Sequence, residues 1–133
     1  MGIEEEILNS SKTVAVVGLS PRRERPSFAV ASYLKEQGFR IIPVNPTAAE
    51  ILGERSYPDL SSIPVRVDVV DIFRRSEEVL PIVEEAIKIG AKSVWMQEGV
   101  VNEEAADRAR DAGLLVIMDK CMLKEHKRIK QRD

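Results

Sequence analysis

Five short apolar runs, separated by stretches with helical periodicity, constrain the fold of this chain more than any other feature. They are residues 13–17 (TVAVV), 39–44 (FRIIPV), 67–72 (VDVVDI), 92–96 (KSVWM) and 114–118 (LLVIM). The first, third, fourth and fifth are almost unbroken rather than alternating, the pattern of strands buried on both faces. Between them the spacing predicts a helix over 27–37 that starts at Ser27 and ends at Gly38, with Val30, Ala31 and Leu34 facing inward. A second helix is expected from Ser76 to Gly90, with Pro81 either kinking it or marking its true start. A third runs from Asn102 to Ala112, and a basic helix covers about 121–130. The region 45–66 is less regular, with a short helix expected around 47–52 before Gly53 and a loop through SYPDLSSIP. Strands alternating with helices give a parallel sheet, and right-handed crossovers make it a doubly wound, Rossmann-like α/β fold of about five strands with helices on both faces. Pro43 cannot donate to a ladder, so it belongs near its strand's end. Residues 1–133 show no repeat or linker and read as a single domain.

Charge and cysteine usage narrow the partners. Twenty basic and 22 acidic residues leave a net charge of −2, which argues against nucleic acid as a general partner and leaves only local basic patches. No apolar run approaches the ~20 residues needed to span a bilayer, so no membrane partner is expected. The acidic start MGIEEEILNS lacks the features of a signal peptide. The lone Cys121 excludes an internal disulfide and a multi-cysteine zinc site, and fits a reducing, cytoplasmic setting.

In such a sheet, ligands bind beyond the carboxyl ends of the strands. The residues there are Gly18-Leu19-Ser20, Asn45-Pro46-Thr47, Phe73-Arg74-Arg75, Gln97-Glu98-Gly99 and Asp119-Lys120-Cys121. The first of these groups opens a polar loop with Arg22, Arg23 and Arg25, which leads to Ser27 at a helix start. A helix N-terminus offers unpaired N–H groups and partial positive charge, and arginine adds a fork suited to phosphate. The loop is therefore an anion site. It is not the dinucleotide fingerprint, because Gly18 is its only glycine, and no carboxylate follows the second strand to hold ribose hydroxyls until Glu50. A phosphoacceptor site built on Asp71 and Lys120 would lack its metal-holding acid pair, since Gly18-Leu19-Ser20 occupies that position. Asp71 then reads as structural or near a ligand rim. Trp95 reads as core, Cys121 as a half-buried thiol at a helix start, and His126 as an exposed residue on the basic helix. No Ser–His–Asp, metal-ligand or paired-carboxylate spacing stands out.

The segments VAVVGLSPRRERPS, VNP, VDIFR, GAKSVWMQEGVVNEEA and AGLLVIMDKCMLKEH, spread from residue 14 to 126, resemble the CoA-binding domain family. Its single-domain members are similar to the N-terminal half of the succinyl-CoA synthetase α subunit. The resemblance implies that the loop Gly18, Leu19, Ser20, Arg23, Arg25 and Ser27 holds the phosphates of coenzyme A. It implies that Pro43, Val44, Asn45 and Pro46 flank the adenosine, with Ile72, Phe73 and Arg74 on its other side. Gln97, Glu98 and Gly99 would meet the pantetheine on its way to the thiol. The synthetase's phosphorylated histidine lies in a second domain that this sequence does not contain, so ligase chemistry is not implied. The expected function is binding of CoA or acyl-CoA without catalysis, as a sensor, carrier or thiol-protecting module. A nicotinamide-dependent oxidoreductase, a synthetase subunit completed by a partner chain, and an interaction module with a vestigial nucleotide site remain as alternatives.

Overall fold

The computed structural model describes residues 2–131. A short helix, α1 (Ile3–Ser10), precedes the first strand, β1 (Thr13–Val17). Then come α2 (Pro26–Glu36), β2 (Arg40–Val44), β3 (Glu50–Ile51) and β4 (Glu54–Arg55). A 3₁₀ turn at Leu60–Ser62 leads to β5 (Val69–Ile72), and a second at Ser76–Glu78 leads to α3 (Val79–Lys88). The chain closes with β6 (Ser93–Met96), α4 (Glu103–Asp111), β7 (Leu115–Ile117) and α5 (Met122–Gln131). Five strands form one parallel sheet in the order β2-β1-β5-β6-β7, a Rossmann-like α/β arrangement.

Both faces of the sheet are buried, as the unbroken apolar runs require. Ala15, Val17, Val70, Ile72, Val94 and Met96 point to one face and pack with Val79, Val83 and Ala86 of α3 and Ala105, Ala106 and Ala109 of α4. Val14, Val16, Val69 and Trp95 point to the other, under Ile7 of α1, Ala31 and Leu34 of α2, and Met122 and Ile129 of α5. Trp95 is fully buried, and its indole N–H donates to the Lys120 carbonyl at 2.9 Å. Helices on both sides of a parallel sheet are what a doubly wound fold needs to hide two apolar faces.

Several local expectations need correction. The stretch 47–52 is not a helix. It carries the first strand of the β3–β4 hairpin, in which Leu52 and Gly53 both take positive φ (56° and 74°), the geometry that matches the twist of two paired strands. The cap of α2 is Arg25, not Ser27, with Pro26 at the first helical position, where its missing N–H is an orphan anyway. Ser76 does not cap its own helix. Its hydroxyl accepts from Val101 N–H at 2.9 Å and so ties the segment after β6 to the one after β5. Pro81 sits in the first turn of α3, where no intrahelical donor is lost. The third strand starts at Val69, and Asp68 ahead of it accepts from the N–H groups of Lys12 and Thr13 at 2.9 and 3.0 Å. His126 is half-buried rather than exposed. It lies edge-on to Tyr33 and Phe39, and its Nδ1 lies 2.6 Å from the Tyr33 hydroxyl, which fixes α5 against α2.

Pro43 lies within edge strand β2, buried, with its carbonyl turned away from β1 toward Tyr57 N–H at 3.0 Å. Its missing donor therefore faces the outer edge, where proline is tolerated.

Candidate functional site

Strand order reverses between β1 and β5, because β1 leads outward to β2 while β5 begins the march to β7. At such a switch point the loops after the two strands diverge and leave a crevice. Here Gly18 follows β1 and Phe73 follows β5, and the two backbones almost touch. A Cβ on Gly18 would stand 2.3 Å from the Phe73 carbonyl oxygen, and Gly18 holds φ at +87°. Only glycine fits at this meeting point.

Clefts open around Gly18 on three sides. One of about 330 Å³ lies between the loop and the start of α2, lined by Ser20, Arg22, Arg25, Pro26, Ser27 and Phe73. A second of about 380 Å³ extends toward the end of β2, past Arg22, Asn45, Pro46, Thr47 and Arg74. A third, of about 230 Å³, has an apolar floor of Val17, Val44, Pro46, Leu60 and Ile82, with Arg74 at its rim. The loop is held by its own side chains. Ser20 N–H donates to the Ser27 hydroxyl at 3.0 Å, and the Ser20 hydroxyl accepts from Arg22 N–H at 3.1 Å. Asn45 donates to the Leu19 carbonyl at 3.0 Å and accepts from Thr47 N–H at 2.8 Å, which locks the loops after β1 and β2 together.

The electrostatics are one-sided at the loop end of the crevice, whereas Asp59, Glu78 and Glu85 stand around the annex. α1 carries Glu4, Glu5 and Glu6 in its first turn, and α4 has an Asn102 cap with Glu103 and Glu104. The 11-residue α2 has neither a side-chain cap bond nor an acid in its first turn, so its N-terminal field reaches the cleft uncompensated. Among the described residues, Arg22, Arg23 and Arg25 make no side-chain hydrogen bond or ion pair, whereas Arg74 pairs with Glu78 at 3.2 Å. The site is an anion cradle with an apolar annex.

A family model described as a CoA binding domain matches residues 12–127. This chain belongs to the CoA-binding domain family. It is 43% identical over 122 residues to the uncharacterized protein YneT of Bacillus subtilis, covering 92% of this chain and 90% of that one. It is 35% identical over 95 residues to acetate–CoA ligase [ADP-forming] II of Archaeoglobus fulgidus, a match covering 70% of this chain but only 14% of the ligase. Its fold superposes on a hypothetical protein from Pyrococcus horikoshii OT3 with a TM-score of 0.94 at 41% identity, over 98% of this chain and 93% of the other. The chain is thus related to a segment of acyl-CoA synthetases and similar over nearly its full length to smaller proteins.

Within this CoA-binding domain, the structure gathers Gly18, Ser20, Arg25, Ser27, Asn45, Pro46, Phe73 and Arg74 around the crevice. Leu19 contributes its backbone, since its side chain is buried in the core. Pro43 supports β2 from within the sheet. Arg23 is exposed and outside the clefts, while Arg22, its neighbour, lines two of them. The Ser20 hydroxyl accepts the Arg22 N–H and so shapes the turn, but this does not set a side chain's direction, and the sequence carried no signal for Arg22 over Arg23.

Gln97 and Gly99 do not line these three clefts. Gly99 N–H donates to Asp119 at 2.7 Å, joining the loops after β6 and β7. Gln97 is buried, and its amide donates to Asp71 Oδ1 at 2.6 Å. Asp71 is itself fully buried in the middle of β5, and its Oδ2 has no partner. Burial pushes its carboxyl up to about 7, against the opposing pull of the Gln97 amide.

Proposed function

We propose that this domain binds coenzyme A or an acyl-CoA at the β1–β5 crevice, as a binding module rather than as an enzyme. The observation that carries the reading is the set of unpartnered arginines, Arg22 and Arg25, over the uncompensated N-terminus of α2. CoA carries a pyrophosphate and a ribose 3′-phosphate, and guanidinium forks plus free N–H groups suit both. Membership of the family supports the same ligand. Phe73 and the apolar annex offer surfaces for the adenine ring, and Pro46 and Val44 flank them. The groups around the crevice are hydroxyls, amides, guanidiniums and apolar side chains, with Glu78, Glu85 and Asp59 at the rim of the annex. This set suits recognition of charge and shape.

Calorimetric titration with CoA, dephospho-CoA, acetyl-CoA, NAD and NADP tests the reading. CoA is expected to bind more tightly than dephospho-CoA, and NAD weakly. NAD binding more tightly than CoA overturns it.

A further inference from the structure

Among the described residues, Asp71 is the one charged-type side chain shut away from solvent. It has a single partner, Gln97, through one oxygen, and the other oxygen is unpartnered. An anion in that position would be buried with no counter-cation, an expensive arrangement, so the closed fold favours the neutral acid. The flanking strands β1 and β6 bring no titratable residue, since Val16 and Trp95 sit beside it. The elements over this face carry Glu4 on α1, Tyr33 on α2, and Cys121 and His126 at α5, and the loop above carries the arginines. None of these groups hydrogen-bonds the Asp71 carboxyl, whose one partner is the Gln97 amide. Burial raises its titration and the Gln97 amide lowers it.

The pair lies directly under the crevice. Asp71 is two residues before Phe73 on β5 and beside Val16, which is two residues before Gly18 on β1. Two strand residues rise only about 7 Å. Resting on the anion-cradle reading above, we propose that Asp71 and Gln97 form a proton-operated floor: with Asp71 neutral the positive field of the loop belongs to the ligand, and with Asp71 ionised that field is opposed and anionic ligands are released. The sign follows from linkage. An anion bound above favours the protonated acid, so affinity falls as pH rises through the Asp71 titration, by at most about tenfold per pH unit for one proton.

The test compares wild type with Asp71→Asn, which keeps the shape and removes the ionisation. Inorganic pyrophosphate is titrated against each by amide NMR at about pH 6 and about pH 8.5, so that the probe's own protonation is common to both. The expected result is similar affinity at the lower pH and a loss on going to the higher pH that is about tenfold larger in wild type. Parallel losses, or no pyrophosphate binding to either protein, overturn the proposal. A carbon-13 titration of the Asp71 carboxyl in wild type needs no variant, and a midpoint in the ordinary carboxylate range also overturns it. CoA failing to bind at either pH, while pyrophosphate shows the expected difference, refutes the CoA reading alone.

Discussion

Replacing Gly18 by alanine tests the claim that β1 and β5 meet too closely for any side chain. Two costs arise. The first is backbone, because φ is +87° and an L-residue in left-handed conformation costs roughly 1–2 kcal/mol. The second is steric. The new Cβ would stand 2.3 Å from the Phe73 carbonyl oxygen and 3.0 Å from Arg74 Cδ. The carbonyl is backbone, one residue past β5 and anchored by the Phe73 N–H bond to the Val17 carbonyl at 2.9 Å, and relieving such overpacking costs about 1–3 kcal/mol. The sum is about 2–5 kcal/mol. Gly113 supplies the control. Its φ is +90°, nearly the same, yet nothing lies within 4 Å of an added Cβ. Gly113→Ala should therefore cost only the backbone term, about 1–2 kcal/mol. Urea unfolding of the two variants and wild type, compared through midpoint and slope, gives the difference directly. Gly18→Ala should be the less stable variant by about 1–3 kcal/mol. Equal losses would show that the Phe73 contact exerts no steric demand and that the crevice is not pinned there.

Other consequences are open to measurement. Arg22→Ala and Arg25→Ala should each weaken CoA binding by about 1.5–3 kcal/mol in calorimetry, tenfold or more, while Arg23→Ala should bind nearly as wild type; an equal loss at Arg23 would relocate the phosphate site. Asp68→Ala should cost about 1–3 kcal/mol, because it strips the N–H groups of Lys12 and Thr13 of their acceptor. Burial pushes the Asp68 carboxyl up, but those N–H groups together with Lys92 and Arg66 hold it below the usual range. Its stabilisation is thus present above the unfolded-state value and lost as pH falls through the folded one. In urea unfolding, the gap between wild type and Asp68→Ala should close on acidification, and a gap unchanged down to acid pH would refute the assignment. Asn102→Ala should cost about 1 kcal/mol or more in the same measurement, since Asn102 accepts from Ala105 N–H and donates to the Ser76 carbonyl, both at 2.9 Å, and Asn102→Asp should restore only part of it, because a carboxylate caps the helix but has no donor for that carbonyl.

The sheet was legible because burial on two faces writes itself into sequence as unbroken apolar runs, and β1, β5, β6 and β7 all carry that mark. The hairpin at 50–55 was not, because strands of two residues are too short to show a period and Leu52 gives no hint of a positive φ. α1 was overlooked although Ile3, Ile7 and Leu8 behind an acidic first turn have helical spacing. At the site, the loop and the ends of β2 and β5 could be read because chain position alone places them at the switch point. The direction of a side chain could not. Nothing in the spacing of Arg22 and Arg23 says which of the two lines the clefts. Gln97 follows β6, where a ligand contact was expected, yet it turns down to Asp71, because a buried carboxyl demands a donor more strongly than an open cleft does.

The outer edge of β2 has a consequence for the life of the molecule in a crowded solution. A parallel sheet has two open flanks, and a flank with free donors and acceptors recruits strands from other chains. On this flank the Pro43 position has no donor to offer, and the outward groups at Pro43 and Asn45 are already occupied by Tyr57. The opposite flank is β7, three residues long. The same proline that interrupts an apolar strand thus leaves that edge one donor short, and a Pro43→Val substitution, harmless by hydrophobicity alone, would return a donor to it.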